Sequence, residues 1–483
     1  MQALRPRLCR CFLRPVQSKA AVSRLCETVS RKAFPAVWGG NDSVHHFSVF
    51  SAQPAAVFQA ALNETALPVR LERALSSYQL AEEVSVSQGA FCGGWMGYFA
   101  YELGRFFEKL PGQAQDDIKM PVVWLGFYDK AVLFHHNRQE YWLTAVEIEG
   151  ENISAEDKFA QLSGWLREAE HQDVPEIPFA ADAEPVRFTS RMSRQDYLAA
   201  LERIRRYIYD GDVYQINLTR RMESPFDGRP IDLFHWHSRW NPSPYAAYLA
   251  AEDWAVVSAS PELFLQIRDR HICTRPMKGT RPRVSGPNAE ERNRMAFRDL
   301  AESEKEQAEL AMIVDLERND LARVCVPGSR IVSQFRTIEE YATVYQAVAA
   351  IEGLLPRRND PALFLEILRA VFPGGSVTGA PKIRAMEIID ELEPTARGVY
   401  TGAVGWLGLN GDACLNVAIR TTVVKNGCVF LQTGGGIVAD SQPQAEWEEM
   451  LLKARALQNA VQAVCSRPHR PAVFAVHPSG GRL

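Results

Sequence analysis

Arg275-Pro276-Met277-Lys278-Gly279-Thr280-Arg281-Pro282-Arg283 sets one primary amine among three guanidiniums, with two prolines and a glycine for a backbone. Proline fixes φ and glycine opens φ > 0, so the composition predicts a loop. Crowded cations repel one another, and Lys278 can relieve the repulsion by losing its proton. The crowding therefore predicts an amine that is nucleophilic nearer neutral pH. An anion-binding or merely solvated basic loop is the other reading of these nine residues.

The surrounding chain bounds the choice. Its 483 residues can bury a large core and hold about two or three ordinary domains. A hydrophobic content of 46% and a charged content of 23% are those of a soluble globular protein. A net charge of −4 gives no reason to expect nucleic acid or an anionic membrane as partner, so an anionic substrate must be met by local cations. The nine cysteines are scattered and odd in number, without C-x-x-C, which predicts reduced thiols in a cytoplasmic protein. No apolar run approaches the roughly 18 residues of a membrane helix. The first twenty residues carry several arginines, no acid, Pro6 and Pro15, and read as a basic N-terminal extension over residues 1–30.

From Phe34 to Trp142 short strands are expected at Ala36–Trp38, His46–Phe50 and Val122–Tyr128. The glycine-punctuated aromatic run Gly93–Glu102 predicts close backbone packing against a sheet. Ala155–Glu170 has helical amphipathicity, and the acidic, proline-dotted stretch 171–185 is the candidate linker between a region 31–170 and a domain 186–463. Ser193 caps a helix to Ile208, with Asp196 completing a capping box, and Val213–Thr219 alternates like a strand. Trp254–Ile267 reads as two strands, Ala289–Val314 as one helix and Pro361–Phe372 as another. A helix through Glu391, strands near Gly402 and over Cys414–Val424, a hairpin-like Val429–Val438 and a helix Gln444–Val461 complete the chain. The tail 464–483, rich in proline and glycine, is expected to be disordered.

Glu306 and Glu309 share a helix face, as do Glu446 and Glu449. Such pairs are ordinary on a solvated surface; brought together they would suit Mg²⁺. Gly434-Gly435-Gly436 and the segment Gly374–Gly379 read either as tight turns or as bare backbone for a carboxylate. Arg420, in the run Asn416–Thr421, needs a fixed anion if it points inward and none if it points outward.

Taken together, these motifs resemble the chorismate-utilising enzymes over about Ser193–Leu457. They are Gly211–Thr219, Ser260-Pro261-Glu262, Lys278–Arg283, Met312–Asp320, Pro373–Lys382 and Gly434–Ser441. The region before them resembles the companion region of anthranilate and aminodeoxychorismate synthases. The resemblance implies an α+β fold of the anthranilate synthase component I type, with two packed β-sheets, surrounding helices and a central cleft. It implies chorismate and Mg²⁺ in that cleft. Glu309 and Glu449 match metal ligands, with Glu306 and Glu446 close by. Gln215, Thr280, Thr378, Gly379, Tyr400, Arg420, Gly434, Gly436 and Lys453 match substrate-binding positions.

Two positions refine the likeness. Relatives that add water to chorismate carry a lysine base where this chain has Gln215, and an amide is no base. Anthranilate synthases carry alanine where this chain has Lys278, and their Leu-Leu-Glu-Ser feedback motif is absent near Val49–Ala52. The chain is thus most similar to the aminodeoxychorismate synthase component I group. That group's chemistry implies a covalent adduct on Lys278, with Glu262 as general acid and then base, and 4-amino-4-deoxychorismate, a p-aminobenzoate and folate precursor, as product. Two departures stand out: Leu310 follows Glu309, and Gln346 stands where the family usually has histidine. No cysteine has a glutaminase-like setting, which implies ammonia from a separate glutamine amidotransferase subunit or from solution.

Overall fold

The period-two runs build two large sheets. The computed structural model describes residues 5–39, 47–82, 90–179, 185–284, 286, 288–341, 344–357 and 360–466. In the twelve-stranded sheet, Gln215–Pro225, Cys428–Ile437, Thr421–Lys425, Trp254–Ser260 and Tyr245–Ala250 run on into Ala36–Trp38, Phe47–Ser51, Lys130–His135, Glu140–Ile148 and Arg7–Val16. The ten-stranded sheet runs from Met277–Pro282 and Val344–Leu354 to Gly94–Phe99, Val123–Tyr128 and Ala56–Ala60. Each sheet draws strands from both sides of the 171–185 stretch, so the two expected regions share one pair of sheets. Their inner faces meet in a single core, where Trp254 packs edge-on to Trp124 at 5.2 Å and to Tyr98 at 5.5 Å between ring centroids.

Several expectations hold at the level of local chemistry. The helix Ala155–Glu170 has the anticipated bounds, and Ser193 with Asp196 forms the reciprocal capping box of Arg194–Tyr209. Gly97 lies in a buried strand where an added Cβ would stand 2.0 Å from the Trp124 carbonyl oxygen, the close approach its aromatic run suggested.

Other expectations are corrected. The basic N-terminal extension is instead the strand Arg7–Val16, paired antiparallel with Glu140–Ile148, followed by the helix Val22–Ser30. Arg10 and Arg14 lie on the outward half of this alternating strand, facing Glu147 and Glu156. The helix expected over Ala289–Val314 breaks at Ser303, whose hydroxyl accepts from the Glu306 amide and starts a second helix, Glu304–Ala322. The stretch expected as a hairpin falls in one strand, Cys428–Ile437, and its hairpin partner is Thr421–Lys425 across Asn426-Gly427. His46 and the tail after Ser466 lie outside the described residues, as does part of the 171–185 stretch.

Candidate active site

The basic segment is a strand. Met277–Pro282 pairs antiparallel with Val344–Leu354, and its register slips between Lys278 and Thr280, where Gly279 has φ 78°. The bulge needs glycine twice over: L-residues avoid that φ, and a Cβ would meet Glu306 Oε2 at 2.9 Å and Leu300 at 2.7 Å. The two prolines sit just before the strand and at its last residue, where a missing N–H breaks no ladder bond.

The expected crowding of cations is also absent. Arg281 bonds Asp299 and Glu306, Arg275 bonds Glu339, and Arg283 reaches Glu340 at 3.6 Å. Lys278 turns into a recess, its side chain 13% exposed, with Nζ 3.5 Å from Glu309 Oε2. The arginines of its own strand are paired elsewhere and the amine stands beside the carboxylates Glu309 and Glu262, so the sequence argument from repulsion among those neighbours fails.

Behind the amine lies Gly436. A Cβ there would stand 2.7 Å from Lys278 Nζ and 3.0 Å from Gln215 Nε2, so this glycine opens the space both groups share. Gln215 is wholly buried with neither amide atom bonded, a donor and an acceptor left for something the folded chain does not supply. Gly434 has another duty: its Cβ would lie 2.1 Å from the Leu218 carbonyl oxygen, so it lets two strands close up.

Glu262 sits in the turn between Trp254–Ser260 and Leu263–Arg268, 3% exposed. Burial pushes its carboxyl up to about 7 against the opposing pull of the Ser376 hydroxyl, which donates to Oε1 at 2.5 Å, of Lys278 and of the Met277 amide. The buried phenol Tyr400 faces the same carboxyl, and burial drives it upward. Thr378 and Gly379 belong to a loop that closes over the Gln215 end of its strand: the Asn217 amide donates to Thr378 O at 2.8 Å, and Gly379 pairs with Ile216. Buried Arg397 ties these parts together, donating to Val377 O at 2.8 Å, Asn217 O at 2.7 Å and Glu393 Oε1 at 2.7 Å.

Arg420 falls between strands, not inside one, with φ 48°, its carbonyl fixed by the Ala259 amide at 3.0 Å. Burial lowers its guanidinium, and no carboxylate among the described residues bonds it. His237, facing it, is held near 3 by burial and then by that charge.

The acidic pairs approach the recess from two helices. Glu309 faces Lys278 and, at 3.9 Å, Lys305; Glu449 bonds Lys453 at 2.7 Å and lies in the field of Lys278 and Lys305. Lys453 lowers the Glu449 carboxyl and also donates to Gly434 O at 3.1 Å. Glu306 is engaged by Arg281, and Glu446 accepts from Ser441 at 2.7 Å and is raised chiefly by burial. Among the described residues no three His, Cys, Asp or Glu side chains are disposed to hold a metal ion, so the four acids do not converge. Glu309 and Glu449 remain suitable for a hard cation: they are oxygen donors whose present partners are ammonium groups that a divalent ion can replace. Thr280 is exposed, and its hydroxyl accepts from Gln346 Nε2 at 3.4 Å, while Gln346 Oε1 is buried without a partner.

Sequence reasoning missed Ser376, Arg397 and Glu317. Glu317 had a readable signal: it lies on the apolar stripe Leu310, Ile313, Val314, Leu321 of its helix, where a carboxylate points into the core.

Comparison with known proteins agrees with this architecture. The chain is 38% identical over 374 residues (77% of either chain) to the aminodeoxychorismate synthase component 1 of Bacillus subtilis. It is 39% identical over 359 residues (74% of this chain, 75% of the relative) to that of Escherichia coli. It is also 40% identical over 372 residues (77% and 78%) to the anthranilate synthase component 1 of Thermus thermophilus. Its fold matches the crystal structure of anthranilate synthase component I from Streptococcus pneumoniae with TM-score 0.71 at 27% identity, over 86% of this chain and 93% of that one. A model of chorismate binding enzymes matches residues 35–459, and the chain belongs to that family, the chorismate-utilising enzymes.

Proposed function

We propose that the protein aminates chorismate at C4, giving 4-amino-4-deoxychorismate, as an aminodeoxychorismate synthase component I. The observation that carries this reading is Lys278 itself: a primary amine in the recess, 3.5 Å from Glu309 and backed by Gly436 and the unbonded amide of Gln215. The relatives named aminodeoxychorismate synthase component 1 support it.

Lys278, as free amine, adds to ring C2 while the C4–O bond breaks, and Glu262 gives its proton so that water leaves. Ammonia then adds at C4 as the C2–N bond breaks, returning Lys278 as an amine, and Glu262 takes a proton from the new ammonium. The cycle consumes chorismate and ammonia and yields the aminated product and water. Arg420, with no carboxylate bonded to it among the described residues, receives a substrate carboxylate, and Gln215 bonds the substrate rather than a side chain. Glu309 and Glu449 would hold a Mg²⁺ ion, which would supply positive charge for a substrate carboxylate and offset the acids facing Lys278. Ammonia comes from a glutamine amidotransferase partner, as the designation "component 1" of the relatives suggests; no helix among the described residues is long and apolar enough to cross a membrane. We place the protein in the cytoplasm, in p-aminobenzoate synthesis.

The test is a product assay with chorismate, Mg²⁺ and ammonium salt, beside Lys278→Ala. The wild type forms aminodeoxychorismate and, without ammonia, carries a chorismate-derived mass adduct that the variant lacks. Anthranilate synthesis is the second reading, favoured by the relative from Thermus thermophilus; fluorescent anthranilate as the product would establish it instead.

A further inference from the structure

Glu262 does not lie alone in its pocket. Glu317, 7% exposed on the helix Glu304–Ala322, is near enough for the charge of Glu262 to act on it. The Thr274 hydroxyl donates to Glu317 Oε2 at 2.9 Å, and the Ser376 hydroxyl donates to Glu262 Oε1 at 2.5 Å. Gly375, next to Ser376, is pressed against the same helix: a Cβ there would lie 2.8 Å from Leu316 and 3.3 Å from Glu317 Cγ. The loop that holds one carboxyl is therefore packed on the residue that bears the other.

The charged and titratable groups facing the pair are few. Lys278 and Tyr400 face Glu262, while the Cys273 thiol, Asp320 and Lys382 neighbour Glu317, the last two bonded to each other. Among the described residues no histidine joins them. Two carboxyls in one dry pocket resist ionising together, because the first charge raises the cost of the second.

We propose that Glu317 is a positioning residue that acts through Glu262: the two buried carboxyls retain a proton between them, and this keeps Glu262 able to protonate the departing C4 hydroxyl. The proposal rests on the amination reading above. The proton that Glu262 gives to the leaving water returns from the ammonium formed at C4, so the pair ends each cycle as it began. Burial raises both carboxyls, and the charge of Glu262 adds to the rise at Glu317.

Glu317→Gln keeps the acceptor for Thr274 and removes the charge. Its kcat should lose activity on the alkaline side about one pH unit earlier than the wild type, whereas Glu317→Asp should restore the wild-type limb. A uniform loss of kcat or stability with the limb unmoved would mean that Glu317 only packs, and would overturn the proposal. Infrared titration gives a second readout that needs no turnover. The carbonyl stretch of protonated carboxyl should persist to higher pH in the wild type than in either Glu317→Gln or Glu262→Gln. Two independent, additive titrations would refute the coupling. If the wild type forms no aminated product, the amination reading fails, and the infrared titration still decides whether the pair is coupled.

Discussion

Gly436→Ala separates the position of the amine from the stability of the fold. The added Cβ would stand 2.7 Å from Lys278 Nζ and 3.0 Å from Gln215 Nε2, where ordinary contact begins at 3.4 Å. The amine must therefore retreat by about 0.7 Å. Displacements of this size at a reacting atom cost up to about 100-fold, so kcat should fall by about 10- to 100-fold, or about 1.4–2.7 kcal/mol of barrier. Folding should suffer little, because the clash is with the movable ends of two side chains. Gly434→Ala is the contrast: its Cβ meets the Leu218 carbonyl oxygen at 2.1 Å, backbone that cannot step aside, so stability should drop by about 3 kcal/mol or the protein should not fold. The measurements are product formation from chorismate and ammonium, and thermal unfolding of both variants. A Gly436→Ala protein with undiminished kcat would show that the amine at this place is not the reacting group.

Four further outcomes are expected. Ser376→Ala removes the donor that favours the charged form of Glu262, so the alkaline limb of kcat should rise from near 7 by about one unit, read from a pH profile. Because Glu262 is raised from 4.5 to about 7 by folding, the unfolded chain holds fewer protons in that window. Stability should therefore fall as pH rises through it, and less steeply in Glu262→Gln, by denaturant unfolding at several pH values. Arg420→Ala should raise KM for chorismate about 10- to 100-fold without destabilising the protein, since the guanidinium bonds no carboxylate among the described residues. Glu309→Gln and Glu449→Gln should each raise the Mg²⁺ concentration needed for half-maximal activity at least about 10-fold, whereas an unchanged requirement would remove those acids from the metal site.

Local structure was legible wherever neighbouring residues decide it. The capping box of Ser193 and Asp196, the helix Ala155–Glu170 and the close approach at Gly97 follow from short-range hydrogen bonding and sterics. Ser303 could be read the same way, as an N-cap inside a helical run, yet periodicity alone carried the helix through it. The basic strand misled because two prolines and a glycine suit a loop and a bulged strand end alike; pairing with Val344–Leu354 chose between them.

By itself, the order of residues determined which chemical groups the chain carries and the motifs that mark it as a chorismate-utilising enzyme: Lys278, Glu262, Arg420 and the two acidic pairs. Tertiary structure alone decided their surroundings. It turned Lys278 away from the arginines beside it in sequence and toward Glu309, left the Gln215 amide unbonded and the Arg420 guanidinium without a carboxylate among the described residues, and brought Glu317 under the influence of Glu262. The reason is one of range: propensity acts over a few residues, whereas the field at a buried charge is set by whatever other strands and helices bring within several ångströms of it.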